Sequence, residues 1–225
     1  MRTLNAQAWL SLAVLAVVMG LLLFIPAWTI LYWQAWVYLS IFMGASILTT
    51  LYLMKRDPAL LKRRMRGGPT AEKRSAEKFI MLCMSICFIA LLVVPAFDHR
   101  LRWSAVPFSG VLAGDILVAT GFYFIFLVYK ENTFTSATIE VAEDQKVIST
   151  GPYALVRHPM YASALLYLVG TPLALGSFWG LLAFAAMVPF LLWRLFDEER
   201  FLTQNLSGYA EYKKKVPHRL IPFIW

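Results

Sequence analysis

The sequence predicts an all-α integral membrane protein with about six transmembrane helices. Three observations carry that prediction. The 225 residues are 60% hydrophobic and only 15% charged, whereas globular chains carry about a quarter charged residues. Mean hydropathy is +0.63, and the apolar residues fall in runs near the roughly 20 that a helix needs to cross the hydrocarbon core. Lys and Arg gather between alternate runs, the mark of cytoplasmic loops. Length allows one compact domain. We therefore read 1–225 as a single membrane domain: four spans in 1–130, then a loop, two more spans and a tail in 131–225. No room remains for a separate soluble catalytic domain, so any active site must be built from span ends and short loops.

In chain order the apolar segments are Ala8–Ile30, Trp33–Met54, Phe79–Phe97, Ser109–Tyr129, Pro159–Leu175 and Phe178–Phe196. The first is too long for a signal-peptide core and is expected to be a retained span. The fifth is short and holds Gly170 and Pro172, so a kink or a partly interfacial course is expected. Pro189 is expected to kink the sixth. Tight joints near Tyr32 and at Gly176–Ser177 predict antiparallel hairpins. Six spans put both termini and the 55–78 and 130–158 loops on one side, with every Lys and Arg except Arg100 and Arg102. That side is expected to be cytoplasmic, in the inner membrane if the source is prokaryotic. The basic balance then follows from topology and lipid headgroups, and no motif supports nucleic-acid binding. Cys83 and Cys87, four apart in an apolar run, are expected to pack, with no metal centre or disulfide framework.

The segments between spans hold the chemistry. Asp57-Pro58 is a helix start and Gly67-Gly68 a stop, which predicts a short basic amphipathic helix on the membrane surface. The 131–158 loop is long, and loops of that length are uncommon without a function. It ends in Gly-Pro-Tyr-Ala-Leu-Val-Arg-His-Pro-Met-Tyr. Pro159 suits the first turn of the fifth helix, so Arg157 and His158 sit at a helix N-terminus, where backbone N–H groups attract anions. Tyr161 follows on the same face. These three are either interfacial anchors or part of a site. The sixth span ends in Trp-Arg-Leu-Phe-Asp-Glu-Glu-Arg; Arg194 and Glu198 are four apart and able to pair along one face. The acids are either a solvated helix end or a site. The tail, with Phe223, Ile224 and Trp225, is expected to dock structurally. A hairpin of the last two spans brings both motifs to one membrane side, about 10 Å apart. Such a site would suit a zwitterionic, polyhydroxylated cofactor.

Gly-Pro-Tyr-x-x-x-Arg-His-Pro-x-Tyr at 151–161, Glu-Glu-x-x-Leu at 198–202 and Gly-Tyr-x-x-Tyr-Lys-Lys-x-Val-Pro at 208–217 resemble the isoprenylcysteine carboxyl methyltransferase family. Phospholipid N-methyltransferases share the first two parts. The resemblance covers roughly the C-terminal 95 residues, and the earlier spans match only in being hydrophobic. It implies methyl transfer dependent on S-adenosyl-L-methionine, to a lipophilic or prenylated acceptor at the membrane–cytosol boundary. Carried over by position, it implies cofactor contacts from Tyr153, His158, Pro159, Met160, Tyr161, Glu198 and Glu199. The stretch Gln145, Lys146, Val147 and Ile148 is added, and Thr138 by a looser match. Arg194 is implied to hold the acceptor carboxylate, and Arg194 and Glu198 to be catalytic. Ser163 stands where the family often has glycine, a change between small residues that helix contacts tolerate. Two other readings stand beside it. Integral sterol reductases resemble this architecture and share a Val-Pro-x-Arg-x-x-Pro ending, as at 216–222, and they use NADPH. A non-catalytic membrane subunit is the other; acids in mid-span would favour it, and Asp115 and Glu198 lie near span ends.

Overall fold

A computed structural model of the chain describes residues 2–72, 74–141 and 144–225. Among the described residues the regular structure is helical: α1 Arg2–Ala27, α2 Trp33–Arg56, α3 Pro58–Met65, α4 Ser75–Leu101, α5 Phe108–Glu131, a 3-10 turn Gly151–Ala154, α6 Pro159–Ala174, α7 Gly180–Asn205 and α8 Tyr209–Lys215. Five of these, α1, α2, α4, α5 and α7, are long and apolar enough to cross a membrane. The protein is thus an all-α, multi-pass integral membrane protein. The expected fifth span, α6, has 16 residues and extends about 24 Å at 1.5 Å per residue, short of the roughly 30 Å hydrocarbon core.

The α3 helix forms where the Asp-Pro signal placed it. Asp57 caps it by accepting the Leu60 N–H at 2.8 Å, and Pro58 stands at the first turn. Leu60 and Leu61 are buried against Leu53 of α2 and Ala8 of α1, which leaves its basic residues on the other faces. The α6–α7 joint closes at Gly176, whose φ of +74° is a left-handed conformation that glycine adopts without strain.

Packing departs from a simple hairpin of the last two helices. α6 packs most extensively on α5, and α7 on α4. Between α5 and α6 the backbones touch: a Cβ on Gly114 would lie 2.2 Å from Ala174 N, and one on Gly121 would lie 2.8 Å from Ser163 O. Ser163 is buried there and donates its hydroxyl to Pro159 O at 2.6 Å, so its polar group is satisfied within its own helix. Cys83 and Cys87 are unpaired and partly buried, and Cys87 packs against α6 and α7.

The end of the bundle opposite the long loop is tied by Asp98. It accepts from Ser104 Oγ and Ser177 Oγ, each at 2.5 Å, and from Ser104 N at 2.7 Å. Nearby, Tyr32 donates to Leu175 O at 2.5 Å. These bonds lock the α1–α2, α4–α5 and α6–α7 turns to one another and leave the other end to carry the site.

Candidate active site

At the loop end, α7 continues nine residues past its expected boundary at Phe196, to Asn205. The acids 197–199 are therefore inside a helix, each with a side-chain partner, and the reading of a solvated helix end does not hold. Glu199 is buried, 5% exposed. Its Oε1 accepts from Arg157 Nε at 2.6 Å and lies 3.3 Å from His158 Nε2; its Oε2 accepts from Arg219 Nε at 3.1 Å. Arg157 also donates to the carbonyls of Val216 and Pro217, at 2.8 and 2.7 Å. In turn the Arg157 and His158 amides donate to His218 O and Arg219 O, at 2.9 and 3.0 Å. The tail segment 216–219 thus wraps the N-terminus of α6, with Glu199 as the central counter-charge. The tail docks through 216–219, while Phe223 and Ile224, expected to tuck in, are exposed; its part in the surroundings of α6 is not legible in the sequence. Arg157 is thereby part of a buried ion cluster rather than an interfacial anchor.

Glu198, one residue earlier, points elsewhere. Its Oε2 accepts the Tyr161 hydroxyl at 2.6 Å. The expected Arg194–Glu198 pair is not formed, because Arg194 turns toward α4. Its Nη1 donates to Glu77 at 2.5 Å, and its Nη2 to Glu72 at 2.8 Å and to Ala137 O at 3.0 Å. Glu77 and Glu72 are buried with it, and Arg74 pairs with Asp197 alongside. A guanidinium has five N–H donors in a fixed fork; three are held by Glu77, Glu72 and Ala137 O, which fixes the plane of the group.

The loop before α6 lies over this ground. Arg63 donates to Thr133 O and Arg64 to Ser136 O at 2.7 Å, so α3 holds its first part. Tyr153 accepts from the Asn132 amide at 2.9 Å, and Tyr212 donates to Tyr153 O at 2.7 Å. Burial pushes the Tyr153 phenol well above its usual range despite the Asn132 hydrogen bond. Its proton stays in place at neutral pH, and its O–H remains a donor.

These pieces enclose one cavity of about 720 Å³, within the range of small-molecule sites. Thr138 and the stretch Gln145, Lys146, Val147 and Ile148 line it. So do Tyr153, His158, Pro159, Met160 and Tyr161, with Arg194 and Glu198 opposite. Among the residues singled out from the sequence, Glu199 alone does not line it. The cavity has two parts. The polar part lies between the loop, the start of α6, α7 and α8. An apolar arm runs up between α1 and α4, past Leu15, Met19, Leu22, Met84 and Phe88. Val18 and Ile89 also line this arm, and they are 44% and 46% exposed.

A family model described as phospholipid methyltransferase matches residues 109–208, from α5 to the start of the tail. The probable protein-S-isoprenylcysteine O-methyltransferase of Oryza sativa subsp. indica is 42% identical over 170 residues, 71% of this chain and 84% of the rice protein. The chain belongs to the protein-S-isoprenylcysteine O-methyltransferase family. The Arabidopsis thaliana protein-S-isoprenylcysteine O-methyltransferase B is 31% identical over 152 residues, 64% of this chain and 72% of its own. The Schizosaccharomyces pombe enzyme is 35% identical over 77 residues, 33% of each chain. The chain is accordingly a membrane methyltransferase, and its family requires a methyl donor.

The candidate site has members that the sequence did not reveal. Glu72 and Glu77, which hold Arg194, lie in the region that resembles the family least; two acids within a basic stretch were their only signal. The apolar arm comes from α1 and α4, whose hydrophobicity read only as contact with lipid. Tyr209 and Tyr212 stood in a recognised motif but carried no assigned role.

Proposed function

We propose that this methyltransferase uses S-adenosyl-L-methionine to methylate the carboxylate of an isoprenylcysteine-like acceptor drawn from the membrane. One observation carries the reading: a single cavity joins a polar compartment of phenols, an acid and a helix N-terminus to an apolar arm lined from α1 and α4. The polar compartment fits the cofactor's chemistry. Helix geometry leaves the Met160 and Tyr161 N–H groups without intrahelical acceptors, at the positive end of the α6 dipole, a suitable place for the methionine carboxylate. Glu198, oriented by Tyr161, suits an amino or ribose hydroxyl group. One buried polar atom in the cavity wall, Tyr209 Oη, has no hydrogen-bond partner among the described residues, as expected of a group that meets a ligand.

When bound, the cofactor supplies a methyl group already activated on a sulfonium. An acceptor carboxylate is already anionic at neutral pH, so no base and no covalent enzyme intermediate is required. What the chain contributes is alignment and exclusion of water. Arg194, held by Glu72 and Glu77, offers its remaining N–H groups to the acceptor carboxylate, while the prenyl chain occupies the arm. In this reading α6 completes a six-helix crossing despite its length, both termini are cytoplasmic, and the polar compartment opens where S-adenosyl-L-methionine is available. The charge distribution supports that orientation.

Thermal melts of the purified protein test the cofactor. S-adenosylhomocysteine should raise the transition temperature and NADPH should not; stabilisation by NADPH alone would overturn the assignment. Incubation with labelled S-adenosyl-L-methionine and a panel of prenylcysteines and phospholipids tests the acceptor. Label transferred as a base-labile ester to prenylcysteine supports the proposal, and label confined to amine headgroups defeats it.

A further inference from the structure

We propose that Tyr209 is a cofactor-binding residue whose hydroxyl contacts the nucleoside half of S-adenosyl-L-methionine; the proposal rests on the cofactor reading above. Gly208 (φ +82°) turns the chain into α8 and sets Tyr209 at its first position, three residues before Tyr212, so that both phenols share one face with ring centroids 5.7 Å apart. Their hydroxyls differ. Tyr212 has a structural partner, Tyr153 O at 2.7 Å. Tyr209 is 4% exposed, lines the cavity and has no partner for its hydroxyl among the described residues. A buried tyrosine hydroxyl ordinarily finds a partner, and the cavity that this residue lines is where a ligand could supply one.

The surroundings select which half of the cofactor lies there. Tyr209 packs in a cluster with Val147, Tyr153, Leu202, Leu206 and Tyr212, an aromatic and aliphatic wall suited to the flat face of a purine. The methionine carboxylate has its N–H donors at Met160 and Tyr161, at the start of α6, which leaves the aromatic and aliphatic wall at α8 for the nucleoside.

Calorimetric titration of the full-length protein with S-adenosylhomocysteine and with 5′-methylthioadenosine, which keeps the nucleoside and lacks the amino acid, tests this. Tyr209→Phe should weaken both ligands by a similar factor, about three- to tenfold for one hydrogen bond. Its ligand-free melting temperature should be unchanged or higher, because the variant removes an unpaired buried hydroxyl. Equal S-adenosylhomocysteine affinity in variant and wild type overturns the proposal. So does a fall in ligand-free melting temperature, which would make the hydroxyl structural. Loss confined to S-adenosylhomocysteine, or wild-type protein that does not take up 5′-methylthioadenosine, overturns the nucleoside assignment. Wild-type protein that binds no S-adenosylhomocysteine defeats the cofactor reading itself, a result distinct from unchanged affinity in the variant alone.

Discussion

At the scale of single residues, two adjacent glutamates divide the work between ligand and scaffold. Glu198 lines the cavity and keeps one oxygen beyond its bond to Tyr161. Glu198→Gln should weaken S-adenosylhomocysteine binding in calorimetry while the ligand-free melt stays near wild type; unchanged affinity would contradict its role. Glu199 faces Arg157, His158 and Arg219 behind the cavity wall. Removing one partner of a buried ion cluster strands the others, so Glu199→Ala should destabilise the fold by about 3–5 kcal/mol, seen as a lower melting temperature before any ligand is added. Arg194→Ala should raise the acceptor KM and leave cofactor affinity intact; an unaltered KM would count against Arg194 as the acceptor ligand. The pair of acids was legible in the sequence, but their opposite directions were not. The one-residue step turns each by about 100° around a helix of 3.6 residues per turn, and only the neighbours on α6 and in the tail show which direction is the cavity.

Between elements, the α5–α6 contact is the firmest packing decision in the molecule. It depends on glycines that admit backbone against backbone. Gly114→Ala would drive a methyl into Ala174 N and Leu173 C, atoms that cannot rotate away, and should cost about 1–3 kcal/mol through overpacking. Gly44→Ala is the matched control: nothing lies within 4 Å of its would-be Cβ, so its melt should not fall. Equal behaviour of the two variants would show that the close approach carries no weight. Five spans were legible from their apolar runs and α3 from its Asp-Pro start, whereas the expected fifth segment, α6, is shorter than a crossing needs. The partner of each helix was not legible, since hydrophobicity marks what faces lipid or core without saying which. The extension of α7 was hidden because its last turns carry charges that resemble a loop.

For the molecule as a whole, the cavity links the region most like the family to the region least like it. The polar part of the cavity draws on residues 138–212 and reads from motifs. The apolar arm draws on α1 and α4, where a slot leaves no pattern beyond apolar residues at ordinary helical spacing. Leu22→Trp, at the far part of the arm, should raise KM for long prenyl acceptors several-fold, affect short ones less, and leave S-adenosylhomocysteine affinity unchanged. Equal effects on both chain lengths would remove the arm from the acceptor path.

The contact of residues 216–219 with the start of α6 also separates insertion from completion. His218 and Arg219 supply the carbonyls that hold the Arg157 and His158 amides, yet they follow all the described helices that line the cavity. A protein truncated after Lys215 keeps every span and lacks these restraints. It should therefore insert into the membrane with a loosened start of α6, which would make insertion and a finished cavity separable events.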